Sequence, residues 1–454
     1  MKTPPHKNGP AESSQPWLYS KSNAHGSQEK HVLGLTENWY QFSVFTLITL
    51  LIGMTIGVER VALPPLARHS FHITSVLYTV SFITAFGAVK AVMNLVSGRL
   101  SDHHGRKTLL LIGWGFAVPF AVLIIFAQAW WWVVVANLFL GVNQGLTWSM
   151  SVTSKIDLVG PVNRGLAVGI DESSGYVGVG IGSYVAGILI ASFGLRPAPY
   201  IMALAVVALG MAASAALAKE TKPWALVETK SRSKGTAEPV PKLSKLASYM
   251  SWHDKDMLAV CQAGFLNKFV DSLVIGFFPL YFLQKGVNVV GVGLLVGLYA
   301  WVWGLGQVLS GVLADKVGRK IPITSGIVLI GAGILIVLVS KSYNGWVVGA
   351  IVMGLGMALV YPNLISAVGD TAHPSWRGGA LGIYRLWRDG GYAVGPIILG
   401  AVSLLGGITA ALWTTVALMA LSALTVALVF SETEPTHRQT TPAWELHPDW
   451  VAPR

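Results

Sequence analysis

Charge is scarce in this chain. Only 12% of its 454 residues are Asp, Glu, Lys or Arg while 53% are hydrophobic, which excludes an ordinary water-soluble domain, where about a quarter of residues are charged. Cysteine is nearly absent as well: Cys261 alone rules out a disulfide within the chain, and its apolar surroundings mark it as core filler. There is no Walker glycine loop, HExxH, GxSxG or paired-cysteine pattern, so nucleotide hydrolysis and the common metal and hydrolase chemistries drop out. No cofactor, resident metal or enzymatic activity is expected. His69 and His72 share helical i, i+3 spacing in an expected outer loop, but an isolated pair reads as solvent-exposed and not as metal ligands. The first forty residues lack the apolar segment of a cleavable signal.

What the chain has is long apolar runs. A spanning helix needs about 20 apolar residues, and runs of that size predict twelve spans, centred near Leu50, Ala85, Phe116, Val135, Val179, Val206, Leu273, Ala300, Ile330, Val352, Val394 and Ala420. An even number puts both termini on one side. The tails and even-side loops hold 23 Lys and Arg against 5 in the odd-side loops, which predicts cytoplasmic termini in the plasma (inner) membrane. The net charge of +11 then follows from topology and anionic lipid, with no nucleic-acid partner.

Two segments repeat at an offset of 213 residues: Gly98-Arg-Leu-Ser-Asp102-His-His-Gly105-Arg106-Lys107 and Gly311-Val-Leu-Ala-Asp315-Lys-Val-Gly318-Arg319-Lys320. The same offset relates Asp157, Pro161, Arg164, Gly165, Ala167 and Gly169 to Asp370, Pro374, Arg377, Gly378, Ala380 and Gly382, and Gly141 to Gly354. A repeat this long is outside solenoid periods and suits the paired halves of a secondary transporter. The expected organisation is a disordered tail over 1–38, an all-α six-helix bundle over 39–218, a mobile cytoplasmic linker over 219–255, a second bundle over 256–430 and a loose tail over 431–454 that includes Trp444 and Trp450. Trp130, Trp131, Trp132 and Trp346 read as membrane-interface anchors. Glycines at Gly175, Gly178, Gly180 and Gly182, and at Gly391 and Gly395, suit either close helix packing or a sliding surface, and Pro396 would make the eleventh span bendable.

Gly98 and Gly311 would let two helices cross tightly, Gly105 and Gly318 would permit a sharp turn, and Asp102 and Asp315 are acids suited to pair with an Arg or a helix N-terminus. The pattern Gly-x-x-x-Asp-x-x-Gly-Arg-Lys after the second and eighth spans resembles the best-known signature of the major facilitator superfamily, and the twelve spans and long basic central loop extend the likeness over all but the tails. The resemblance implies a fold of two pseudo-symmetric six-helix bundles and a monomer transporting small molecules. It also implies that this loop latches the bundles together in the outward-open state, a role carried to Asp102 and Arg106 and to their mates Asp315 and Arg319, with Lys107 and Lys320 also setting topology. His103 stands where a basic residue is usual, which would weaken the loop or make it pH-sensitive. Asn137 replaces the Arg of proton-coupled drug exporters, Gly395-Pro396 lies in the eleventh span instead of the fifth, and Ala-Lys-Glu-Thr-Lys-Pro follows the sixth span where sugar porters differ, so no subfamily is assigned.

Charges at membrane depth cost about 2.5–3.5 kcal/mol each on insertion scales and are functional candidates by default. They are Lys90, Asp171, Glu172, Lys268, Asp271, Arg385, Arg388 and Asp389, with Glu59 and Arg60 near the outer end of the first span. Spacing pairs Lys268 with Asp271 and Arg385 with Asp389. Glu172 and Arg385 are symmetry mates that would face each other across a cavity, while Arg388 and Lys90 lack a local partner. Four positive against four negative charges argue against a site for anions alone. A buried carboxylate can carry a proton at neutral pH, so Glu172 or Asp271 is the expected coupling group, with Arg388 or Lys90 restoring charge or holding an anionic group; a static ion-pair network is the competing view. The resemblance further implies that Asn143, Gln144, Trp148, Asn267, Tyr361 and Asn363 line the cavity. Proton-coupled export of small amphipathic or drug-like compounds is the first expectation, transport or exchange of a small organic or inorganic anion the second, and a transporter-like sensor the third.

Overall fold

The computed structural model describes residues 18–21, 29–160, 164–232, 241–372, 376–434, 437, 441–447 and 451. The expectations for residues 1–17, for Pro161, Pro374 and Trp450, and for the side chains of Asp102, Asp315, Arg164 and Trp444, lie outside the described residues. Two short strands, β1 (Leu18–Lys21) and β2 (Glu29–Val32), pair antiparallel within the stretch expected to be a disordered tail. The remaining elements are helices: α1 (Trp39–Phe71), α2 (Val76–Thr79), α3 (Ser81–His104), α4 (Arg106–Ile125), α5 (Trp130–Val159), α6 (Arg164–Phe193), α7 (Ala198–Ala216), α8 (Lys222–Arg232), α9 (Leu243–Ser248), α10 (Lys255–Gly276), α11 (Phe278–Gln284), α12 (Val289–Val317), α13 (Lys320–Val339), α14 (Tyr343–Thr371), α15 (Arg377–Val429) and α16 (Ala443–Leu446).

Among the described residues ten helices are long and apolar enough to cross a membrane. The difference from twelve has two physical sources. α5 is 30 residues long but carries Asn137, Asn143 and Gln144, which lower its hydropathy below that of a lipid-facing span. α15 is two helices joined end to end, with non-helical backbone at Gly406 and Gly407, the latter at φ +71°. Only glycine adopts that conformation at little cost, so the chain turns there, and Pro396 sits inside the first arm of α15 without breaking it. With α5 and both arms of α15 included, the spans form two groups of six.

One face of α6 packs inside its own bundle and another across to the second. A Cβ at Gly178 or Gly182 would strike the α1 backbone at Leu50 or Met54, while Gly180 abuts Trp301 and Gly187 abuts Val289 and Gly293, all on α12. The glycine ladder therefore serves static packing and the inter-bundle surface at once. Gly391 and Gly395 pack on α10 within their own bundle. Trp131 is exposed, but Trp130 and Trp346 are buried. They are not interface anchors: Trp130 Nε1 donates to the Tyr78 carbonyl at 3.0 Å and Trp346 Nε1 to the Ser340 carbonyl at 3.2 Å.

The bundles pack against each other from one end through the centre, where Gly87 meets Tyr392 and Gly304 meets Ser173, and among the described residues the contacts thin toward the Gly105 and Gly318 turns, where Leu95 lies 3.7 Å from a Cβ built at Gly382. Opposite the Gly105 and Gly318 turns, at what we call the far end, Gly276 packs on Val80 and Ile83, and Gly400 on Leu77. At the loop end, a Cβ at Gly98, Gly169, Gly311, Gly369 or Gly378 would find nothing within 4 Å among the described residues. Gly98 and Gly311 therefore do not mediate a tight helix crossing here, because the helices they would join stand apart. Gly105 and Gly318 do turn the chain, at φ +88° and +86°.

Each repeated loop is tied down within its own half. Glu220 accepts from the backbone N–H groups of Arg106 and Lys107 at 3.0 and 3.1 Å, capping α4, and Glu432 caps α13 through Arg319 and Lys320 at 2.7 and 3.0 Å. A carboxylate at a helix N-terminus offsets both orphan donors and the dipole. Arg106 Nε donates to Asp157 at 2.9 Å and Arg319 Nε to Asp370 at 3.0 Å, and Lys107 Nζ reaches the Ala215 carbonyl at 2.8 Å. These contacts are all intra-bundle. The stretch expected to be a mobile linker is partly helical, in α8, in α9 and in a π-turn over Tyr249–His253. Trp224 of α8 is buried, its ring 4.3 Å from that of His31 and its Nε1 donating to Asn38 at 3.1 Å. Replacing Gly105 with Ala forces a positive φ on an L-residue and drives a Cβ into the Glu220 carboxylate. We expect a loss of about 1–2 kcal/mol, read as a lower melting temperature of the purified protein, whereas Gly98→Ala, inside a helix with open space around it, does not lower it.

Candidate functional site

The polar centre of the molecule lies where the bundles touch. α1 brings in Arg60 and α10 brings in Asp271, and the guanidinium donates to Asp271 Oδ2 at 3.0 Å with both side chains almost fully buried. Lys268, one helical turn before Asp271, donates to the same oxygen at 3.2 Å, as its spacing predicts. The hydroxyl of Tyr392 on α15 donates to it as well. One carboxylate thus holds two cations and a phenol from three helices. Arg60 and Glu59 are not at the outer end of a span: α1 continues to Phe71, both residues are buried, and neither carboxylate oxygen of Glu59 has a partner among the described residues.

Aromatic rings enclose the two lysines. The Lys268 ammonium lies 4.5 Å from the ring centre of Trp303, 5.0 Å from Tyr361, 5.1 Å from Tyr392 and 5.2 Å from Tyr176, and it donates to the Tyr176 hydroxyl at 2.6 Å. Tyr176 comes from α6 of the first bundle and stacks on Trp303 of α12 at 3.6 Å. The Lys90 ammonium faces Phe86, Trp148 and Tyr392 at 5.3, 5.4 and 5.7 Å. Cation–π attraction of this kind strengthens once water is excluded.

A second tie crosses the interface beside the first. Arg388 grips its sequence neighbour Asp389 with two bonds of 2.8 and 2.9 Å and donates to Tyr361 at 2.8 Å, while Asn94 of α3 donates to Asp389 Oδ2, the oxygen that also accepts from Arg388 Nη2, and accepts from Ser149 at 2.9 Å. The expected Arg385–Asp389 pair does not form, because the fork of Arg388 meets the carboxylate in bidentate fashion. Arg388 therefore has a partner, and Arg385 stays half-buried. Glu172 and Arg385 make no hydrogen bond or ion pair with each other; Glu172 Oε1 accepts from Trp148 Nε1 at 3.2 Å and its other oxygen is unpartnered among the described residues.

Asp171 points into the first bundle. There it meets Lys155 at 2.7 Å, with Thr49 and Ser151 completing a cluster fully removed from solvent. Lys155 escaped the sequence reading because it was counted with the loop after the fourth span, whereas α5 runs on to Val159. Tyr176, Trp303, Tyr392 and Asn94 were missed too, since rings and an amide in apolar runs look like packing; lone polar residues facing a charged helix were the available signal. Of the residues expected along the cavity, Trp148 and Tyr361 reach the centre. Asn143 instead ties α5 to the Gly113 carbonyl at 2.8 Å, Gln144 to Thr55 at 3.0 Å, and Asn363 to Ser310 at 3.0 Å, each inside its own bundle. Asn267 donates to the Met357 sulfur at 2.9 Å.

Comparison with known proteins matches this architecture. The sequence profile of the Major Facilitator Superfamily fits residues 45–261 and again 260–453. An uncharacterised MFS-type transporter of Salmonella typhimurium is 22% identical over 354 residues, 76% of this chain and 85% of that protein. One of Methanocaldococcus jannaschii is 22% identical over 325 residues, 71% and 81%. A shorter stretch of 129 residues, 28% of this chain and 33% of the relative, is 25% identical to the quinolone resistance protein NorA of Staphylococcus aureus. Among solved structures the human organic anion transporter MFSD10 superposes with a TM-score of 0.63 at 17% identity, covering 86% of this chain and 99% of that one. With a profile match to each six-helix group and charge concentrated between the groups, the chain belongs to the major facilitator superfamily and is a multi-pass membrane transporter, not an enzyme.

Proposed function

We propose that this transporter exports small amphipathic compounds in exchange for protons, by alternating access to the centre of the interface. The observation that carries the reading is the placement of ionisable groups from both bundles in an aromatic chamber, with the bundles packed at the far end and apart at the loop end. Rocking the two bundles, 39–218 against 256–430, would move that chamber from one side to the other. The excess of Lys and Arg in these loops supports a cytoplasmic loop end in the plasma membrane, and on that reading, for a monomer, this conformation faces inward. Arg106 and Arg319 each hold an acid of their own half, Asp157 and Asp370. The stretch similar to a quinolone resistance protein is a further support for export.

The coupling proton is assigned to Glu172. A proton reaching Asp271 would have to displace two cations and a phenol, whereas Glu172 offers an oxygen that no donor occupies. Its other oxygen is held by Trp148, one of the chamber's rings, so a compound that shifts the indole acts directly on the acid. Arg60 and Asp271 form the far-end lock, because their ion pair spans the bundles just below the packed Gly276 and Gly400 contacts.

Two experiments test these roles. In proteoliposomes, Glu172→Gln should abolish accumulation driven by a pH gradient, by about tenfold or more, while exchange at equal pH continues; retained gradient-driven transport would remove Glu172. In a Cys261→Ser background, Leu77→Cys sits under Gly400 at the far end. Adding Arg60→Gln should raise the rate of thiol labelling there several-fold, because it removes the ion pair that spans the bundles while Lys268 still compensates Asp271 from its own helix. Unchanged labelling would show that the ion pair does not hold that end.

A further inference from the structure

We propose that Lys90 anchors a negative group of the transported compound, which makes amphipathic organic anions, carboxylates above all, the substrate class. The inference rests on the reading of the interface centre as the binding site. Four cations are buried at the interface centre. Arg60 and Lys268 share Asp271, and Arg388 has Asp389. Lys90 is the fourth, and among the described residues no carboxylate oxygen lies within ion-pair distance of it; its ammonium faces the rings of Phe86, Trp148 and Tyr392. Of the acids nearby, Asp389 is held by Arg388 and Asn94 and Asp271 by Arg60, Lys268 and Tyr392, while Glu172 gives one oxygen to the Trp148 indole and keeps the other unpartnered, and Glu59 beside Arg60 has neither oxygen bonded among the described residues. Four carboxyl groups, those of Asp271, Asp389, Glu172 and Glu59, face the four cations. When Glu172 carries its proton, one positive charge is left in excess for an anion to balance.

Access and lining point to the same ligand. Arg60, Lys268 and Asp271 are at most 1% exposed, whereas Lys90, Asn94 and Trp148 keep 7%, 9% and 9%. The little exposure that the cluster keeps therefore lies on its Lys90 side. Asn94 follows Lys90 by one turn of α3 toward Gly98, where the bundles stand apart. A bare inorganic anion would satisfy the ammonium and leave the rings uncovered, while an aromatic or long-chain carboxylate would meet Lys90 with its head and the rings with its body. The two charges are also linked. Trp148 presents its ring to Lys90 and its Nε1 to Glu172, so an arriving carboxylate and an arriving proton act on opposite sides of one indole. That arrangement lets the anion report the state of Glu172 without touching it.

The test is titration calorimetry on the purified full-length protein with three isosteric probes: 2-naphthoate, neutral 2-naphthamide and cationic 2-naphthylmethylammonium. We expect naphthoate to bind about tenfold or more tightly than either of the others, Lys90→Gln to erase that preference, and Lys90→Arg to keep it. Equal or weaker binding of naphthoate to the wild type, absence of binding by all three, or an unchanged preference in Lys90→Gln each overturns the proposal. Should Lys90→Gln not yield monodisperse protein, the wild-type ranking decides alone. No gradient is present in these titrations, so loss of the naphthoate preference with intact proton-driven flux would sink the anion and spare the exporter.

Discussion

The structure is organised around Asp271. This one carboxylate, without solvent access, holds Arg60 from the first bundle, Lys268 from its own helix and the Tyr392 hydroxyl from α15. In hydrocarbon none of these groups could stand alone, because the penalty for an isolated buried charge exceeds anything local packing returns. They are tolerable only where the bundles meet, so the charges oblige the two halves to face each other through this surface. Lipid then covers the rest. Exposed hydrophobics such as Leu309, Leu405, Leu421 and Leu428 decorate the outside, as a chain solvated by acyl chains requires.

The same electrostatics gives the interface two faces of different character. At the far end, glycines let backbones and rings approach across the bundles, a contact of shape with little charge in it. Below it lies the buried cluster of rings and ions, and below that the loop end, where Gly98, Gly169, Gly311, Gly369 and Gly378 face open space among the described residues. A contact made of shape and a few buried ion pairs is bistable: it is intact or it is absent, and intermediate separations leave charges uncompensated. The intra-bundle networks behave differently. Arg106 with Asp157, Arg319 with Asp370, the Glu220 and Glu432 caps and the Lys155–Asp171 cluster each close within one half. They make each bundle a rigid lever, so that motion concentrates at the surface between them.

The pseudo-symmetry is structural more than chemical. The capped turns and the Arg–Asp pairs recur in both halves at the repeat offset, and Trp148 and Tyr361 occupy equivalent places around the chamber. The ionised residues do not repeat: Glu172 corresponds to Arg385, and Lys90 to Trp303. Duplication supplied the levers, and divergence of a few side chains supplied a chamber with an uneven charge, which a transporter needs if it is to tell one substrate from another.

Hydropathy, the 213-residue repeat and the scarcity of charge determined the class of fold, the pairing of two six-helix halves and the set of buried charges, because each is a property of residue type and spacing that the bilayer reads directly. The Lys268–Asp271 pair was legible for the same reason, three residues apart on one helix. Which charges meet across helices was not. Arg60 finds Asp271 over 211 positions and Asn94 finds Asp389 over 295, and Arg388 takes Asp389 from Arg385 through side-chain geometry that spacing alone does not encode. Whether Gly98 lies at a crossing or in open space, whether Asn143 faces a chamber or a neighbouring helix, and that Lys90 has rings where a carboxylate was conceivable were decided only by the relative placement of whole helices. Long-range packing sets that placement, and no local pattern along the chain records it.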